Sequence, residues 1–197
     1  MAPKCTIFGG TNGSGKSALF EIIQPDGEFV NADSIARRLN PVAPDRAAMQ
    51  AGRAVLRRLQ FLIGARRDFI YETTLASHQA LSVMVRARGA GYQIGLVYVA
   101  LDDVELHIKR VAVRVAKGGH DIPENVIRRR YEKSWQGLAA AIPLADGCLV
   151  FDNSGRMPIL LLEVEGREIA KDYLDRSLPL HLHIAGVIAQ GLRNERG

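Results

Sequence analysis

The 197-residue sequence contains only two cysteines and no long run of apolar residues. Cys5 and Cys148 both lie in apolar, strand-like stretches, where a cysteine is usually a small buried side chain in a reducing compartment, so neither a disulfide nor a metal site is expected. The longest apolar runs, 94–101 and 158–164, are far shorter than the roughly 20 residues that cross a bilayer. The N-terminal stretch MAPKCTIFGG also lacks the apolar region of a signal peptide. We therefore expect a cytoplasmic protein without a membrane-spanning segment.

Two signatures of other nucleotide-binding proteins are absent from the sequence. No G-x-G-x-x-G register fits its N-terminal glycines, which excludes the dinucleotide-binding fingerprint. The LSGGQ-type signature of transport ATPases does not occur. A motor or transport ATPase also needs a glutamate directly after the acid that ends its Walker B strand, but the candidate acid Asp102 is followed by Asp103. A motor or transporter therefore ranks below a kinase as the interpretation of a phosphate-binding sequence.

Such a phosphate-binding sequence is present at residues 8–20, FGGTNGSGKSALF. Gly10 is followed, after an intervening TNGS, by Gly15, Lys16 and Ser17, which gives the spacing G-x-x-x-x-G-K-[ST]. Shuffling this composition would produce the spacing in roughly three chains per thousand. The alternative interpretation is a glycine-rich turn that binds nothing.

The residues around this loop also fit a phosphate site. An apolar run of strand-forming residues, 5–8, precedes the loop, and 17–23 repeats its apolar residues at helical spacing. Backbone amides and the helix N-terminus then favour an anion, Lys16 reaches the outer phosphates, and Ser17 ligates Mg²⁺. The residues expected to bind ATP are Gly10, Thr11, Asn12, Gly13, Ser14, Gly15, Lys16, Ser17 and Ala18.

The chain carries 26 basic and 21 acidic residues, and its net charge of +5 indicates an anionic partner. ATP alone satisfies this requirement. The arginines at 128–130 and those at 86 and 88 keep nucleic-acid binding open, although such clusters are more often solvated helix faces. We therefore expect a small-molecule partner rather than a nucleic acid, and no membrane.

Apolar runs alternate with helical patterns along the chain, which predicts a layered α/β domain. Strands are predicted at 5–8, 28–32, 69–71, 94–101 and 148–151, and helices at 17–23, 45–63, 78–88 and 102–117. The tail predicts a hairpin over 159–173 and a last helix at 184–192. We therefore predict a single P-loop kinase domain over 1–197, with a core at 4–155 and a C-terminal hairpin and helix in 156–197. The predicted fold class is a three-layer α/β P-loop fold with a central, mostly parallel sheet and a helical lid.

Ligands of open α/β sheets bind at the carboxyl ends of the strands, and an acid follows three of the predicted strands. Asp33 is a candidate general base that accepts the proton of an attacking substrate hydroxyl. The alternative is that Asp33 caps a helix that begins at Ile35. The segment 72–74, Glu-Thr-Thr, either offers an acceptor and two hydroxyls to a polyol substrate or caps the strand end. Asp102 opens a capping-box pattern, so helix initiation is the better interpretation of this acid.

The helix predicted at 102–117 carries the remaining basic charge. Arg110 and Arg114 lie four residues apart and share a helix face. Because the glycines 118–119 follow, this helix suits a lid that closes over the triphosphate, where arginines neutralise charge on the transferred group. A solvated basic stripe is the alternative. His120 is expected to make a local hydrogen bond rather than to act as a base.

Five strings of the sequence together resemble the zeta-toxin family of P-loop kinases, in particular its short bacterial members. They are GGTNGSGKS, NADSIARRLNP, IYETT, RVAVRVAKGGHDIPENVIRRRY and VFDNS, in this order, and they cover roughly residues 4–155. The combination is more specific than the phosphate loop alone. Better-studied members of that family phosphorylate the 3′-hydroxyl of UDP-N-acetylglucosamine with ATP and Mg²⁺, and a small helical antitoxin inhibits them.

The resemblance implies roles for the residues that match the motifs of this family. Lys16 would bind phosphate, and Ser17 would hold Mg²⁺. Asp33 would be the general base of the transfer. Glu72 and Thr74 would hold the sugar nucleotide.

The resemblance also implies that lid arginines contact the γ-phosphate, with Arg110 and Arg114 as the catalytic candidates. These two arginines are more closely spaced than the lid pair of the longer toxins. Which arginines form the lid pair is therefore undecided, and Arg128 or Arg129 is the alternative second member. These two residues are also candidate substrate ligands. The chain is shorter than those toxins, which leaves less material for a sugar-nucleotide pocket.

The sequence therefore predicts an ATP- and Mg²⁺-dependent kinase that phosphorylates a hydroxyl of a small molecule. UDP-N-acetylglucosamine or another nucleotide sugar is the first candidate substrate, and an antitoxin is a candidate partner. Two alternatives stay open. One is a kinase for the 5′-hydroxyl of a polynucleotide or nucleoside. The other is a nucleotide-binding switch without a phosphoryl acceptor, in which Asp33 is only a helix cap.

Overall fold

The computed structural model describes residues 1–119 and 121–194, without the side chain of Asp45. His120, for which the sequence predicts a local hydrogen bond, lies outside the described residues. The strands are β1 (Lys4–Gly9), β2 (Glu28–Val30), β3 (Phe69–Thr73), β4 (Gln93–Ala100), β5 (Gly147–Asp152), β6 (Ile159–Glu165) and β7 (Glu168–Asp172). The helices are α1 (Lys16–Ile23), α2 (Ala32–Leu39), α3 (Ala48–Gly64), α4 (His78–Gly89), α5 (Val104–Ala116), α6 (Glu124–Ala141) and α7 (Pro179–Arg193). Short 3₁₀ turns cover Pro44–Ala47 and Ile142–Leu144.

The seven strands of the described ranges form one sheet in the order β2-β3-β1-β4-β5-β6-β7. The pairs among β1 to β5 are parallel, whereas β6 pairs antiparallel with β5 and β7 antiparallel with β6. This mostly parallel α/β sheet confirms the predicted fold class. Because β3 pairs with β1, with Glu72 opposite Phe8, the carboxyl ends of these two strands lie side by side.

The sheet lies between two layers of helices. Successive residues of a strand point to opposite faces of a sheet. On one face, strand residues such as Ile7 and Leu96 share a core with buried residues of α3, α4, α6 and α7. On the other face, Phe8 and Val97 pack with Leu19 of α1. The helix that follows the phosphate loop is therefore fixed to the sheet by apolar contacts on its own side.

Helix α2 begins before Asp33, earlier than the alternative interpretation of this acid requires. Asn31 has extended backbone, and its side chain accepts a hydrogen bond of 2.9 Å from the Ser34 amide. Asn31 is therefore the N-cap of a helix that begins at Ala32. The alternative that Asp33 caps a helix beginning at Ile35 is wrong, because Asp33 already lies in the first turn of α2.

The N-terminus of α5 is displaced by one residue from the predicted capping box. The Asp103 carboxylate, not that of Asp102, accepts the hydrogen bond from the Leu106 amide, at 2.7 Å. Asp102 is exposed, and its amide donates a hydrogen bond of 2.8 Å to the Ser154 hydroxyl. Two consecutive acids offered two candidate caps, and the helix uses the second.

The tail contains a hairpin and a helix that pack on the sheet. Strand β6 turns into β7 at Gly166, whose φ of 59° lies in the left-handed region. Helix α7 begins at Pro179, earlier than the predicted start at 184, and its Ile184 and Ile188 belong to the same core as α6. None of the helices in the described ranges is long and apolar enough to cross a membrane.

Candidate active site

The segment between β1 and α1 forms a tight loop whose conformation requires glycine. Gly13 and Gly15 have φ angles of 82° and 89°, in the left-handed region. A Cβ atom on Gly15 would lie 2.0 Å from Nδ2 of Asn153, and one on Gly13 would lie 2.7 Å from the backbone oxygen of His107. The loop is therefore held between the residues that follow β5 and the helix α5.

Lys16 is folded back onto its own loop. The residue is 7% exposed, and its Nζ donates hydrogen bonds to the carbonyl oxygens of Gly10, at 2.7 Å, and Thr11, at 3.3 Å. Oε1 of Glu72 lies 3.6 Å from the same atom. Burial lowers the pKa of Lys16, and the negative charges of Glu72 and Asp33 act in the opposite direction. An ammonium group bonded to loop carbonyls is well placed to exchange them for phosphate oxygens.

Glu72 is held beside the loop by Asn31. The Asn31 amide donates a hydrogen bond to Oε2 of Glu72, while its oxygen caps α2. The Glu72 side chain is 13% exposed, and its other oxygen faces Lys16. One asparagine therefore connects the ends of β2 and β3 and fixes the orientation of the carboxylate.

Asp33 lines two cavities that border the phosphate loop. The carboxylate makes no hydrogen bond or ion pair with the side chains and backbone described in 1–119 and 121–194. Its negative charge raises the pKa of both Lys16 and Arg130, against the lowering caused by their burial. The Asp33 carboxylate is thus close enough to interact electrostatically with Lys16 and Arg130, but in the described residues it forms an ion pair with neither.

Two cavities adjoin at these residues. The cavity beside the phosphate loop, called the loop cavity, has a volume of about 490 Å³. The cavity beside helix α6, called the α6 cavity, has a volume of about 390 Å³. The residues that line both cavities are Asn12, Lys16, Asn31, Asp33 and Glu72. Ligands in the two cavities would therefore contact the same side chains.

The loop cavity contains most of the residues predicted to bind ATP. Its further lining consists of Gly13, Gly15, Ser17, Ala18, Arg37, Arg110, Arg114, Asn153, Gly155 and Arg156. Gly10, Thr11 and Ser14 are buried inside the loop and do not belong to this lining. Both predicted lid arginines, Arg110 and Arg114, reach the cavity, and Arg110 donates a hydrogen bond of 2.8 Å to the Asn153 carbonyl oxygen.

The α6 cavity brings together three of the four predicted substrate ligands, Glu72, Thr74 and Arg129, and two further basic groups of α6. Its further lining consists of Ala32, Tyr71, Thr73, Thr74, Ala76, Ser77, Gln79, Arg129, Arg130 and Lys133. Arg128, also predicted as a substrate ligand, instead forms ion pairs of 2.6 Å with Glu105 and Glu124. Consecutive helix residues point about 100° apart, so only some of the arginines at 128–130 face the cavity.

Several polar residues of the site were not singled out from the sequence. Asn31 and Asn153 directly follow β2 and β5, so their position after a strand was the available signal. Asn153 donates a hydrogen bond of 2.8 Å to the Ser14 carbonyl oxygen. His107 contacts the Asn12 carbonyl oxygen through Nδ1 at 2.8 Å, and burial lowers the pKa of His107 to about 4. No sequence signal distinguished Arg130 from its neighbours.

The residues of the loop cavity fit a magnesium ion that arrives with a nucleotide. The hydroxyl-bearing Ser17 is exposed at the start of α1, next to Lys16. The carboxylates of Asp33 and Glu72 line the same cavity. Mg²⁺ commonly takes one or two protein oxygens and completes its shell with phosphates and water. The described residues contain no group of three or more His, Cys, Asp and Glu side chains that would hold a metal alone.

Comparison with known proteins identifies the family. The family model described as an AAA domain matches residues 6–133, which run from β1 into α6. A Haemophilus influenzae protein, described as an uncharacterized protein, is 35% identical over 132 residues, which cover 66% of this chain and 94% of that protein.

Three solved structures are similar. A chain of the AvrRxo1-ORF1:-ORF2 complex with ATP superimposes with a TM-score of 0.70 at 15% identity, covering 99% of this chain and 66% of that chain. A chain from the PezAT chromosomal toxin-antitoxin system of Streptococcus pneumoniae has a TM-score of 0.62 at 12% identity, covering 97% and 87%. A chain of the Pnkp1/Rnl/Hen1 RNA repair complex has a TM-score of 0.51 at 26% identity, covering 68% and 45%. The chain thus spans about two thirds of the AvrRxo1 chain and less than half of the RNA repair chain.

The likenesses at 15% and 12% identity concern the fold alone. The family match covers more than half of the sequence and includes the phosphate loop, Asp33, Glu72 and the arginines of α6. The Haemophilus relative is matched over nearly its whole length. The chain therefore belongs to the AAA domain family and has its P-loop fold.

Proposed function

We propose that this protein is a kinase that uses ATP and Mg²⁺ to phosphorylate a hydroxyl group of a small molecule. The observation that carries the proposal is the meeting of the loop cavity and the α6 cavity at Lys16, Asp33 and Glu72. A transferase must bring a donor and an acceptor to one point, and two adjoining cavities with a common wall supply such a point.

The loop cavity would hold the triphosphate. The loop amides and the N-terminus of α1 favour phosphate oxygens, and Lys16 would leave the carbonyls of its own loop to bind them. Arg110 and Arg114 line the same cavity and would neutralise charge on the transferred group. Ser17 would hold Mg²⁺, which when bound neutralises the phosphate oxygens.

Asp33 would act as the general base. A hydroxyl bound in the α6 cavity next to the shared wall would donate its proton to this carboxylate as it attacks the γ-phosphate. Since Asn31 caps α2, the capping role that competed with this assignment falls to another residue. Glu72 and Thr74 would then orient the acceptor by hydrogen bonds.

The acceptor would be anionic, because Arg129, Arg130 and Lys133 line the α6 cavity. A nucleotide sugar satisfies this requirement, and UDP-N-acetylglucosamine is the first candidate because the motifs of the chain resemble those of the zeta-toxin family. The similarity of the fold to a chain of the PezAT toxin-antitoxin system and to an AvrRxo1-ORF1:-ORF2 chain supports the further proposal of an antitoxin partner.

An acceptor screen with γ-labelled ATP tests the proposal. Nucleotide sugars, nucleosides and oligonucleotides are incubated with the enzyme and Mg²⁺, and labelled products are separated. We expect label on a nucleotide sugar, and its loss with Lys16→Ala. Nucleotide binding without transfer to any acceptor would contradict the kinase and favour the nucleotide-dependent switch.

A polynucleotide 5′-hydroxyl kinase is the second candidate. The 26% identity to a chain of the Pnkp1/Rnl/Hen1 RNA repair complex favours it, and a basic α6 cavity also suits a nucleic-acid end. The oligonucleotide arm of the screen separates the two candidates. Transfer to a 5′-hydroxyl oligonucleotide, with no transfer to nucleotide sugars, would replace the first proposal by the second.

A further inference from the structure

Asn12 touches both sides of the site. It belongs to the phosphate loop and lines the loop cavity and the α6 cavity. Its side-chain oxygen accepts a hydrogen bond of 2.9 Å from the guanidinium of Arg130 on α6. The residue is only 9% exposed, so water has little access to replace this bond. Asn12 therefore connects the loop that would hold the donor to an arginine of the cavity that would hold the acceptor.

The backbone of Asn12 is fixed separately from its side chain. Nδ1 of the buried His107 lies 2.8 Å from the Asn12 carbonyl oxygen. Burial lowers the pKa of His107 to about 4, so the ring is neutral near pH 7 and its Nδ1–H donates to the carbonyl oxygen. The His107 ring in turn packs edge to face on Tyr131 of α6, with centroids 5.4 Å apart. Because His107 holds the backbone of Asn12 in the loop, the conformation of the loop determines where the Asn12 side-chain oxygen lies relative to Arg130.

Two charged residues, Asp33 and Arg129, act on Arg130. It is partly buried, and burial lowers its pKa, whereas the carboxylate of Asp33 raises it. Arg129 beside it is exposed and lines the α6 cavity, and the bond to the phosphate loop is made by Arg130. A shift of Asn12 would therefore alter how far the Arg130 guanidinium extends toward Asp33 and the α6 cavity.

We propose that the Asn12–Arg130 hydrogen bond couples the two cavities, with Arg130 as a positioning residue. A nucleotide that orders the phosphate loop would fix Asn12 and, through it, Arg130 in the α6 cavity. By linkage, an anion that orders Arg130 in the α6 cavity would strengthen nucleotide binding by the same factor. The acceptor half of this inference rests on the proposed kinase function, whereas the effect of Arg130 on the nucleotide does not.

A double-mutant cycle tests the nucleotide half without any acceptor. The dissociation constant of adenylyl imidodiphosphate with Mg²⁺ is measured by calorimetry for the parent, Arg130→Met, Asn12→Ala and the double variant. Loss of one charge-assisted hydrogen bond that orders the loop should weaken binding by about threefold to tenfold in Arg130→Met. The double variant should bind no more weakly than Asn12→Ala alone. Arg130→Lys, which keeps a cationic donor, should recover part of the affinity.

Lys109→Met is the control for net charge, because Lys109 is exposed on α5 and lines neither cavity. Its affinity for the nucleotide should stay within about twofold of the parent. Equal weakening by Lys109→Met would mean that only general charge matters and would overturn the proposal. Additive effects of Arg130→Met and Asn12→Ala would mean that Arg130 contacts the nucleotide directly, which would also overturn it. Thermal melting of every variant identifies loss of folding.

The double-mutant cycle and the acceptor screen test different proposals, so a negative result in one does not decide the other. If no acceptor is phosphorylated, the kinase proposal falls, while the cycle still decides whether Arg130 and Asn12 act as one unit. If an acceptor is found, its KM should rise in Arg130→Met and in Asn12→Ala. An unchanged KM in Asn12→Ala would overturn the acceptor half of the coupling.

Discussion

Asp33 lies at a position where charge and shape can be tested separately. The cap of α2 is Asn31, whose oxygen accepts the Ser34 amide hydrogen bond. Asp33 lies in the first turn, where a carboxylate gains a small stabilisation from the helix dipole. Its neighbours Lys16 and Arg130 are cations, and the charge of the Asp33 carboxylate raises the pKa of both. Asp33 is therefore not needed as a helix cap, and its carboxylate can take a chemical role at little cost in the stability of the fold.

We predict that Asp33→Asn slows phosphoryl transfer by about a hundredfold or more, the usual scale of general-base catalysis. Affinity for ATP and the melting temperature should stay near the parental values, because the triphosphate is held by the loop and α2 by its Asn31 cap. The three quantities are measured by single-turnover transfer, calorimetry and thermal unfolding. Asn31→Ala is the control for capping and should cost about 0.5 to 2 kcal/mol of stability. Parental transfer by Asp33→Asn would remove the base from the mechanism.

At the scale of single residues, the sequence predicted what local spacing determines. Lys16 and Ser17 follow from the loop motif, and Asp33 and Glu72 from the ends of predicted strands. The sequence did not distinguish Arg128 from Arg130, because the rotation of α6 about its axis is set by apolar packing elsewhere on that helix. Its buried Trp135 and Leu138 face the core, and this orientation carries Arg128 to Glu105 and Arg130 to Asn12.

At the scale of elements, helix α5 turns one face to the phosphate loop. His107, Arg110 and Arg114 recur at helical spacing, and each contacts the loop or lines the loop cavity. Lys109 and Lys117 are exposed. The alternative of a solvated basic stripe therefore describes the lysines better than the arginines. Gly118, which follows this helix, has a φ of 82° in the left-handed region, a conformation that glycine adopts without strain.

We predict that Arg114→Ala lowers turnover by about tenfold or more and lowers nucleotide affinity less, as expected for a charge that acts on the transferred group. Lys109→Ala, an exposed change on the same helix, should leave both quantities unchanged. Limited proteolysis gives an independent measurement, since residues 110–125 should become protected when adenylyl imidodiphosphate and Mg²⁺ are added. Equal cleavage with and without the nucleotide, together with normal turnover of Arg114→Ala, would exclude a lid.

At the scale of the whole molecule, alternation of strands and helices predicted a mostly parallel sheet, but not the order of its strands. That order depends on contacts between distant segments. Pairing of β3 with β1 brings Glu72 to Lys16, and pairing of β5 with β4 brings Asn153 to the loop. Neither contact is encoded in local spacing, so the sequence predicted the parts of the site but not which of them touch.

The C-terminal tail lies beyond the family match at 6–133 and beyond the core expected at 4–155, yet it shares the main core of the molecule. Strands β6 and β7 extend the sheet from β5, and α7 buries Ile184 and Ile188 completely. Each buried aliphatic side chain of this kind contributes about 1.5 to 3 kcal/mol, so several together approach the roughly 5 to 15 kcal/mol that stabilise a typical domain. We therefore propose that the tail belongs to the same folding unit as the candidate active site.

We predict that Ile184→Ala destabilises the protein by about 2 to 5 kcal/mol, because it leaves a cavity between α7 and α6. Leu182→Ala is the matched control on the same helix: Leu182 is 53% exposed and Ile184 is 0% exposed, so the control should cost less than about 0.5 kcal/mol. Denaturant unfolding followed by circular dichroism measures both.

A chain that ends at residue 155 should fail to unfold cooperatively, because the edge of β5 that pairs with β6 and the face of α6 that α7 covers would lose their partners. Cooperative unfolding of that shorter chain, with parental nucleotide affinity, would mean that the phosphate site folds without the tail and that α7 only covers a finished core.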